Sequence, residues 1–146
     1  MWNLVVALTL VIAQPPAVAR RLRVPGAPIE VSYTIDSERA NITFLVTLQG
    51  LENWIGFGVN RTPWMIGADV VICEPTLGSA QEFLLADRTP DSIQRDSNSA
   101  VLYAQIISTF PDVVFAFSRP LKAKHSRDHA INLVGPCVLS FVDLGV

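Results

Sequence analysis

The stretch IEVSYTIDSERANITFLVTL, residues 29–48, decides the fold class because it alternates apolar and polar side chains on both sides of a polar turn. In its first half the apolar side chains stand at every second position: Ile29, Val31, Tyr33 and Ile35. Residues 42–48 repeat this period of two. Successive side chains of a strand point to opposite faces, so the pattern indicates two strands with one face buried and one in water. The polar residues 36–39 between them predict a β-hairpin.

Working outward from this hairpin, six further apolar segments predict strands: 54–59, 68–73, 82–86, 101–107, 113–118 and 138–142. No segment sustains the 3.6-residue period of a helix, and the connections carry Gly, Pro, Asp and Asn. Short strands joined by such turns predict an all-β sandwich or barrel. The polar segment 88–99 predicts a long loop of the kind that often binds ligands.

The first residues of the chain predict a secretory signal peptide. An apolar run at residues 4–13 is shorter than the roughly 20 residues of a membrane-spanning helix. The sequence Ala17-Val18-Ala19 then matches the pattern of small residues at a cleavage site. We therefore expect a signal peptide at 1–19, a tail at 20–27 and one domain at 28–146, with no later membrane span, in a secreted protein. The alternative is an N-terminal strand, which the prolines at positions 15 and 16 disfavour.

Composition limits the size of the fold and its partners. The chain has 146 residues, of which 50% are hydrophobic, enough for the core of one domain. A formal net charge of −2 argues against nucleic acid as a partner.

Export changes how the two cysteines and two sequons are interpreted. In an oxidising compartment a disulfide between Cys73 and Cys137 is expected, and the alternatives are a free thiol or pairing with another chain. Asn41 begins an N-glycosylation sequon. Asn60 begins a second, which the proline at position 63 weakens.

Three motifs in a fixed order then identify a family. They are WIGFGV at residues 54–59, MIGADVVI at 65–72 and VFAFSRPL at 114–121, with DSIQRD at 91–96 between the last two and Asp128 following. Over residues 29–142 this order resembles the DOMON domain, the module at the N-terminus of dopamine β-monooxygenase and its relatives.

The resemblance implies an immunoglobulin-like β-sandwich of about eight antiparallel strands, an extracellular location, and haem or a carbohydrate as ligand. In haem-carrying members one axial ligand is a methionine before the G-A-D-V-V strand, and Met65 stands at that position beside Trp64. The second axial ligand is a histidine near or after the last strand, for which His129 is the candidate in this chain. Met–His ligation suits a haem b that transfers electrons. Met65 also has the alternative of an apolar plug at the mouth of the sandwich.

Asp69 and the two histidines can each be explained without a ligand or a metal ion. Asp69 interrupts an apolar strand, and because a buried carboxylate needs a partner, it either faces solvent or meets Arg119. His125 and His129 lie four residues apart beside Asp128, a spacing that would suit zinc on a helix. This segment shows no helical pattern, so two solvated loop histidines are expected and no metal site is assigned.

No catalytic set is visible, and the copper-binding histidine motifs of the monooxygenase core are absent. We expect a non-catalytic module that binds a small ligand or a partner domain. The alternatives are a haem b electron-transfer domain and an N-terminal piece of a copper-dependent monooxygenase-like protein.

Overall fold

The computed structural model describes residues 4–11, 20–23, 26–50, 55–60, 66–87, 91, 93–125, 129–131 and 136–143. For residues 4–11, 20, 22 and 136–143 it describes the backbone alone. The described strands are β1 (Leu4–Val11), β2 (Arg20–Arg23), β3 (Ile29–Asp36), β4 (Asn41–Gln49), β5 (Ile55–Asn60), β6 (Asp69–Glu74), β7 (Ser79–Leu85), β8 (Ile93–Arg95), β9 (Tyr103–Ser108), β10 (Asp112–Pro120) and β11 (Pro136–Asp143).

These strands form two antiparallel sheets. One has six strands in the order β1-β11-β5-β6-β7-β8, and the other has five in the order β2-β3-β4-β10-β9. The sequence-based prediction of an all-β sandwich is confirmed, and each of the eight expected strands is present. The structure adds β1 and β2 at the N-terminus, and β8 inside the segment that was expected to be a loop. Among the described residues, no helix is long and apolar enough to cross a membrane.

The predicted hairpin at residues 29–48 is confirmed as the pair β3–β4. Its register pairs Ile29 with Leu48 and Asp36 with Asn41. The turn is held by the Asp36 carboxylate, which accepts hydrogen bonds from the backbone N–H groups of Glu38 and Arg39, each at 3.1 Å. An aspartate that bonds the backbone two or three residues ahead stabilises a turn locally, so the polar residues of this stretch set the register of the apolar ones.

The main core lies between the two sheets and is built on phenylalanine. The ring centroids of Phe44 in the five-stranded sheet and Phe57 in the six-stranded sheet lie 4.9 Å apart. Phe117 stacks on Phe44 at 5.1 Å and lies 5.4 Å from Phe57. All three side chains are at most 1% exposed. Such tilted and offset contacts each add about 0.5–1.5 kcal/mol to the burial of the rings.

The N-terminal segment contributes one strand to each sheet. β1 pairs with β11 over eight residues at the edge of the six-stranded sheet, and β2 pairs with β3 at the edge of the five-stranded sheet. The full chain therefore has a strand where the sequence offered a strand as the alternative to a signal peptide. Cleavage after Ala19 concerns processing of this chain and remains a prediction.

Candidate functional site

Four residues form a polar group at one end of the sandwich, here called the Asp69 cluster: Gly67, Asp69, Arg119 and His129. Asp69 begins β6 and Arg119 lies near the end of β10, so their side chains meet between the two sheets. The Arg119 Nη2 atom lies 3.5 Å from the Asp69 Oδ2 atom, and the two side chains are 2% and 5% exposed. The predicted partnership of Asp69 with Arg119 is confirmed.

Hydrogen bonds connect this ion pair to His129. The backbone N–H of His129 donates to Asp69 Oδ2 at 2.6 Å, and Arg119 Nη2 donates to the His129 carbonyl oxygen at 3.0 Å. Burial raises the pKa of the Asp69 carboxyl above its ordinary value, while the His129 N–H and the Arg119 charge act in the opposite direction. The ion pair therefore fixes the backbone of His129 at this end of the sandwich.

The imidazole of His129 is oriented by a further contact. Its Nε2 atom lies 2.6 Å from the carbonyl oxygen of Gly67. A carbonyl oxygen only accepts, so Nε2 carries the proton, and in the neutral ring Nδ1 carries a lone pair. His129 Nδ1 is buried without a hydrogen-bond partner in the described part of the chain, and so is Arg119 Nε. The expectation that His129 is a solvated loop histidine is therefore wrong, whereas His125 is exposed.

Unsatisfied buried polar atoms need an explanation, because each costs about 1–3 kcal/mol. Here an unpaired donor and an unpaired acceptor occur within one cluster. A histidine that binds a metal typically donates its other ring N–H to a backbone carbonyl or carboxylate, which fixes the ring and the tautomer. His129 has this arrangement, with Gly67 as the carbonyl. The cluster can therefore present a nitrogen lone pair to an electron-poor ligand.

The other predicted ligand residues, Trp64 and Met65, lie outside the described residues. Trp54 and Asp128, which belong to the motifs of the family resemblance, lie outside them as well. Gly67, the acceptor for His129, follows Met65 by two positions in the sequence. The two candidate haem ligands are therefore connected through a short stretch of chain and one hydrogen bond.

A second buried carboxylate was missed by the sequence analysis. Glu82 in β7 is 5% exposed, and its Oε2 atom accepts the backbone N–H of Ala100 at 2.7 Å. The same oxygen also accepts the hydroxyl of Ser99 and, at 3.3 Å, the N–H of Val101. These bonds fix the segment that leads into β9. The sequence signal was weak, because Glu82 follows Gln81 at the polar start of the predicted strand, whereas Asp69 is surrounded by apolar residues.

The predicted disulfide is corrected by the structure. Cys73 is a free, buried thiol. In the strand register, Cys73 of β6 lies opposite Ile55 of β5, and Ile55 lies opposite Asp143 of β11. Cys137 lies six positions from Asp143 along β11. At about 3.3 Å per residue, the cysteine backbones are about 20 Å apart along the strand direction, and a disulfide requires Cα atoms within about 7 Å. Burial raises the pKa of the Cys73 thiol to about 12.

The two sequons lie in different surroundings. Asn60 is 6% exposed and its side-chain Nδ2 donates to the Ile66 carbonyl at 3.3 Å. The folded chain therefore leaves little access to this nitrogen, and glycosylation at Asn60 remains a prediction. Asn41 begins β4 and is partly exposed, so its glycosylation remains a prediction.

No group of three or more His, Cys, Asp or Glu side chains within the described ranges could hold a metal ion by itself. No family model matches the chain, and no curated protein matches it.

Proposed function

We propose that this protein is a secreted, non-catalytic binding module of DOMON type whose ligand site is the end of the sandwich at the Asp69 cluster. The observation that supports the proposal is the set of hydrogen bonds that His129 makes and the one that its Nδ1 atom lacks among the described residues. Its ring is held by the Gly67 carbonyl at 2.6 Å, and its Nδ1 atom is buried without a hydrogen-bond partner among the described residues. A buried ion pair fixes the backbone of the same residue.

Haem b is the ligand that this arrangement suits best. The cluster fits the nitrogen half of a haem ligand set, because the Nδ1 atom of an imidazole whose other ring nitrogen is held by a backbone carbonyl can bind a metal ion. His129 would supply that nitrogen, and Met65 is the candidate for the second ligand. When bound, haem with Met–His ligation would supply reversible one-electron transfer at a raised potential. The protein's own residues fix the backbone and the ring of His129.

Titration of the purified protein with haemin, followed by absorbance, tests this proposal. We expect a Soret band that saturates at one haem per chain. His129→Ala removes the nitrogen ligand and should abolish saturable binding. His125→Ala is the matched control, because it removes the exposed histidine four residues away and should leave the titration unchanged. Met65→Ala should retain binding with a shifted spectrum.

A wild-type protein that gives no saturable Soret band, or a His129→Ala variant that titrates like wild type, would exclude haem at this site. Calorimetric titration with oligosaccharides is the second measurement, since carbohydrate is the other ligand class that the family resemblance implies. Saturable sugar binding that does not change in His129→Ala would place the ligand elsewhere on the domain and contradict the proposed site.

A further inference from the structure

Strand β1 belongs to the segment that the sequence predicts to be removed on export, yet it covers the edge of the six-stranded sheet. It pairs with β11 over eight residues, from Leu4 opposite Asp143 to Val11 opposite Pro136. On its other side β11 pairs with β5. Loss of residues 1–19 would therefore make β11 the edge strand and leave the hydrogen-bonding groups on one side of its backbone unpaired.

The edge that β1 covers has little of the protection that natural edge strands carry, which are usually short or charged. The edge strand on the opposite side of this sheet, β8, has three residues including Arg95. In the other sheet, edge strand β2 has four residues, of which three are arginine. In contrast, β11 has eight residues, its one proline stands at the first position, and residues 137–142, CVLSFV, carry no charge. Strands from other polypeptides add to edges of this length and composition.

The register of β1 shows which kind of strand fits this edge. Val6 lies opposite Phe141, and Phe141 lies opposite Phe57 of the main core. Directly opposite residues of antiparallel strands share a face of the sheet, and successive residues alternate between the two faces. The face of Phe57 therefore continues into β1 through four positions, all of them apolar: Leu4, Val6, Leu8 and Leu10. No residue of β1 is charged, and its one polar residue, Thr9, lies on the other face.

We propose that β11 of the processed chain is a docking site for a partner protein, which adds an extended segment as an antiparallel strand in the place of β1. The segment has the chemistry of β1, which means that it is uncharged, apolar at every second position and eight residues long. This inference rests on the proposed function only in requiring export and the removal of residues 1–19. It goes beyond that function, because none of the residues in the Asp69 cluster belongs to β1, β5 or β11.

Hydrogen bonding favours a polypeptide strand as the occupant of this edge. An unpaired edge strand presents N–H and C=O groups along its length, and in the full chain β1 pairs with all eight residues of β11. An apolar small molecule would leave these groups without partners. A second copy's β11 fits less well than a strand like β1. The face of β11 that continues from Phe57 ends in Asp143, whereas the four corresponding positions of β1 are all apolar.

The test uses the protein that a eukaryotic host secretes when it expresses the full chain, once the intact mass shows that residues 1–19 are absent. The probe is a synthetic peptide with the sequence of residues 4–11, LVVALTLV, followed by two lysines for solubility. We expect calorimetry to show saturable binding of one peptide per chain. The amide hydrogens of β11 should exchange more slowly in the complex than in the secreted protein alone.

Two variants of the peptide test the register. Leu8→Lys places a charge on the face that continues from Phe57 in the core, so this peptide should bind more weakly by about a hundredfold or more. Thr9→Lys is the matched control, because it places the same charge on the other face and should leave binding unchanged. Both substitutions are in the peptide, so the folding of the protein is the same in every measurement.

A processed protein that shows no saturable peptide binding overturns the proposal, and so does equal binding of the two lysine variants. Secretion with residues 1–19 in place overturns it as well, because β1 is then a permanent strand. A processed protein that dimerises and already protects its β11 amides would assign the edge to a second copy and contradict a partner protein. The haemin titration of the same protein has an independent outcome, since the Asp69 cluster shares no residue with this edge.

Discussion

At the scale of single residues, the Asp69 cluster joins two charged side chains to backbone groups of Gly67 and His129. Asp69 could be identified because a carboxylate in an apolar strand needs a partner, and Arg119 was an available cation. His129 is held by the carbonyl of Gly67, and a backbone acceptor leaves no mark in the sequence. Side-chain partners can be proposed from residue types, whereas partners from the backbone require the fold.

The ion pair of Asp69 and Arg119 should be strongly coupled. Arg119→Met leaves the Asp69 carboxylate buried without its cation and should lower the free energy of unfolding by about 3–5 kcal/mol. Asp69→Asn leaves Arg119 without its anion and should also destabilise, while its side-chain oxygen still accepts from His129. The double variant should lose less than the sum of the single losses. Urea denaturation of the four proteins measures the cycle, and losses that add within about 0.5 kcal/mol would mean that the two charges do not interact.

The buried thiol of Cys73 should be inert in the folded protein. Its pKa is raised from 9.0 to about 12 in the fold, so an alkylating reagent at neutral pH should modify it only after unfolding. The folded-state pKa is the higher one, so the stability that this group contributes is complete below pH 9 and is lost as pH rises towards 12. The unfolding free energy of wild type should therefore fall more steeply over this interval than that of Cys73→Ala.

Mass spectrometry after alkylation of the native protein checks the first part directly. Rapid modification of Cys73 in the folded state would show that the thiol is accessible. Resistance of both cysteines to alkylation after denaturation without reductant would instead support a disulfide.

At the scale of secondary-structure elements, the eight strands predicted from apolar segments are present, and the strands that were not predicted are short or polar edge strands and the N-terminal strand β1. β8 has three residues, two of them polar, and exists because it pairs with β7. β2 reads as a basic tail, yet its backbone pairs with β3, and Arg21 and Arg23 lie 3.7 and 3.3 Å from Glu30. Edge strands depend on a neighbour's backbone more than on their own side chains.

The pairing of β5 with β6 depends on a close approach at Gly58. A Cβ atom there would lie 2.8 Å from the Val70 Cγ2 atom and 3.0 Å from the Asp69 carbonyl oxygen. Gly58→Ala should therefore lower the free energy of unfolding by about 1–3 kcal/mol. Adding Val70→Ala removes the nearer of these two atoms, so the double variant should be more stable than the sum of the two single losses predicts. Chemical denaturation decides this, and strict additivity would show that Val70 is not the obstacle.

At the scale of the whole molecule, one sandwich domain was predicted and is present, but its N-terminal boundary differs. The sequence assigned residues 1–19 to a signal peptide and 20–27 to a tail. In the structure of the full chain both segments supply an edge strand. An apolar run of about ten residues meets the needs of a signal peptide and of a strand equally well, so the pattern alone does not separate the two.

Export of the chain from a eukaryotic host tests this boundary. We expect the secreted protein to begin at Arg20, and its intact mass should correspond to residues 20–146 with a glycan at Asn41. Removal of β1 would leave β11 at the edge of its sheet, so amide hydrogens of β11 should exchange faster than in the full chain. A secreted protein that still begins at Met1 would show instead that β1 is a permanent part of the fold.

The N-terminal segment contributes β1 to one sheet and β2 to the other, and this arrangement has a mechanical consequence. In the full chain, tension applied at the first residue loads the β1–β11 ladder in one sheet before it reaches the β2–β3 ladder in the other. Because the two ladders are reached in series, the chain should yield to a pulling force in two steps. Cutting the chain between the two strands removes the first step, and a force at the new terminus would act on a ladder of four residues alone.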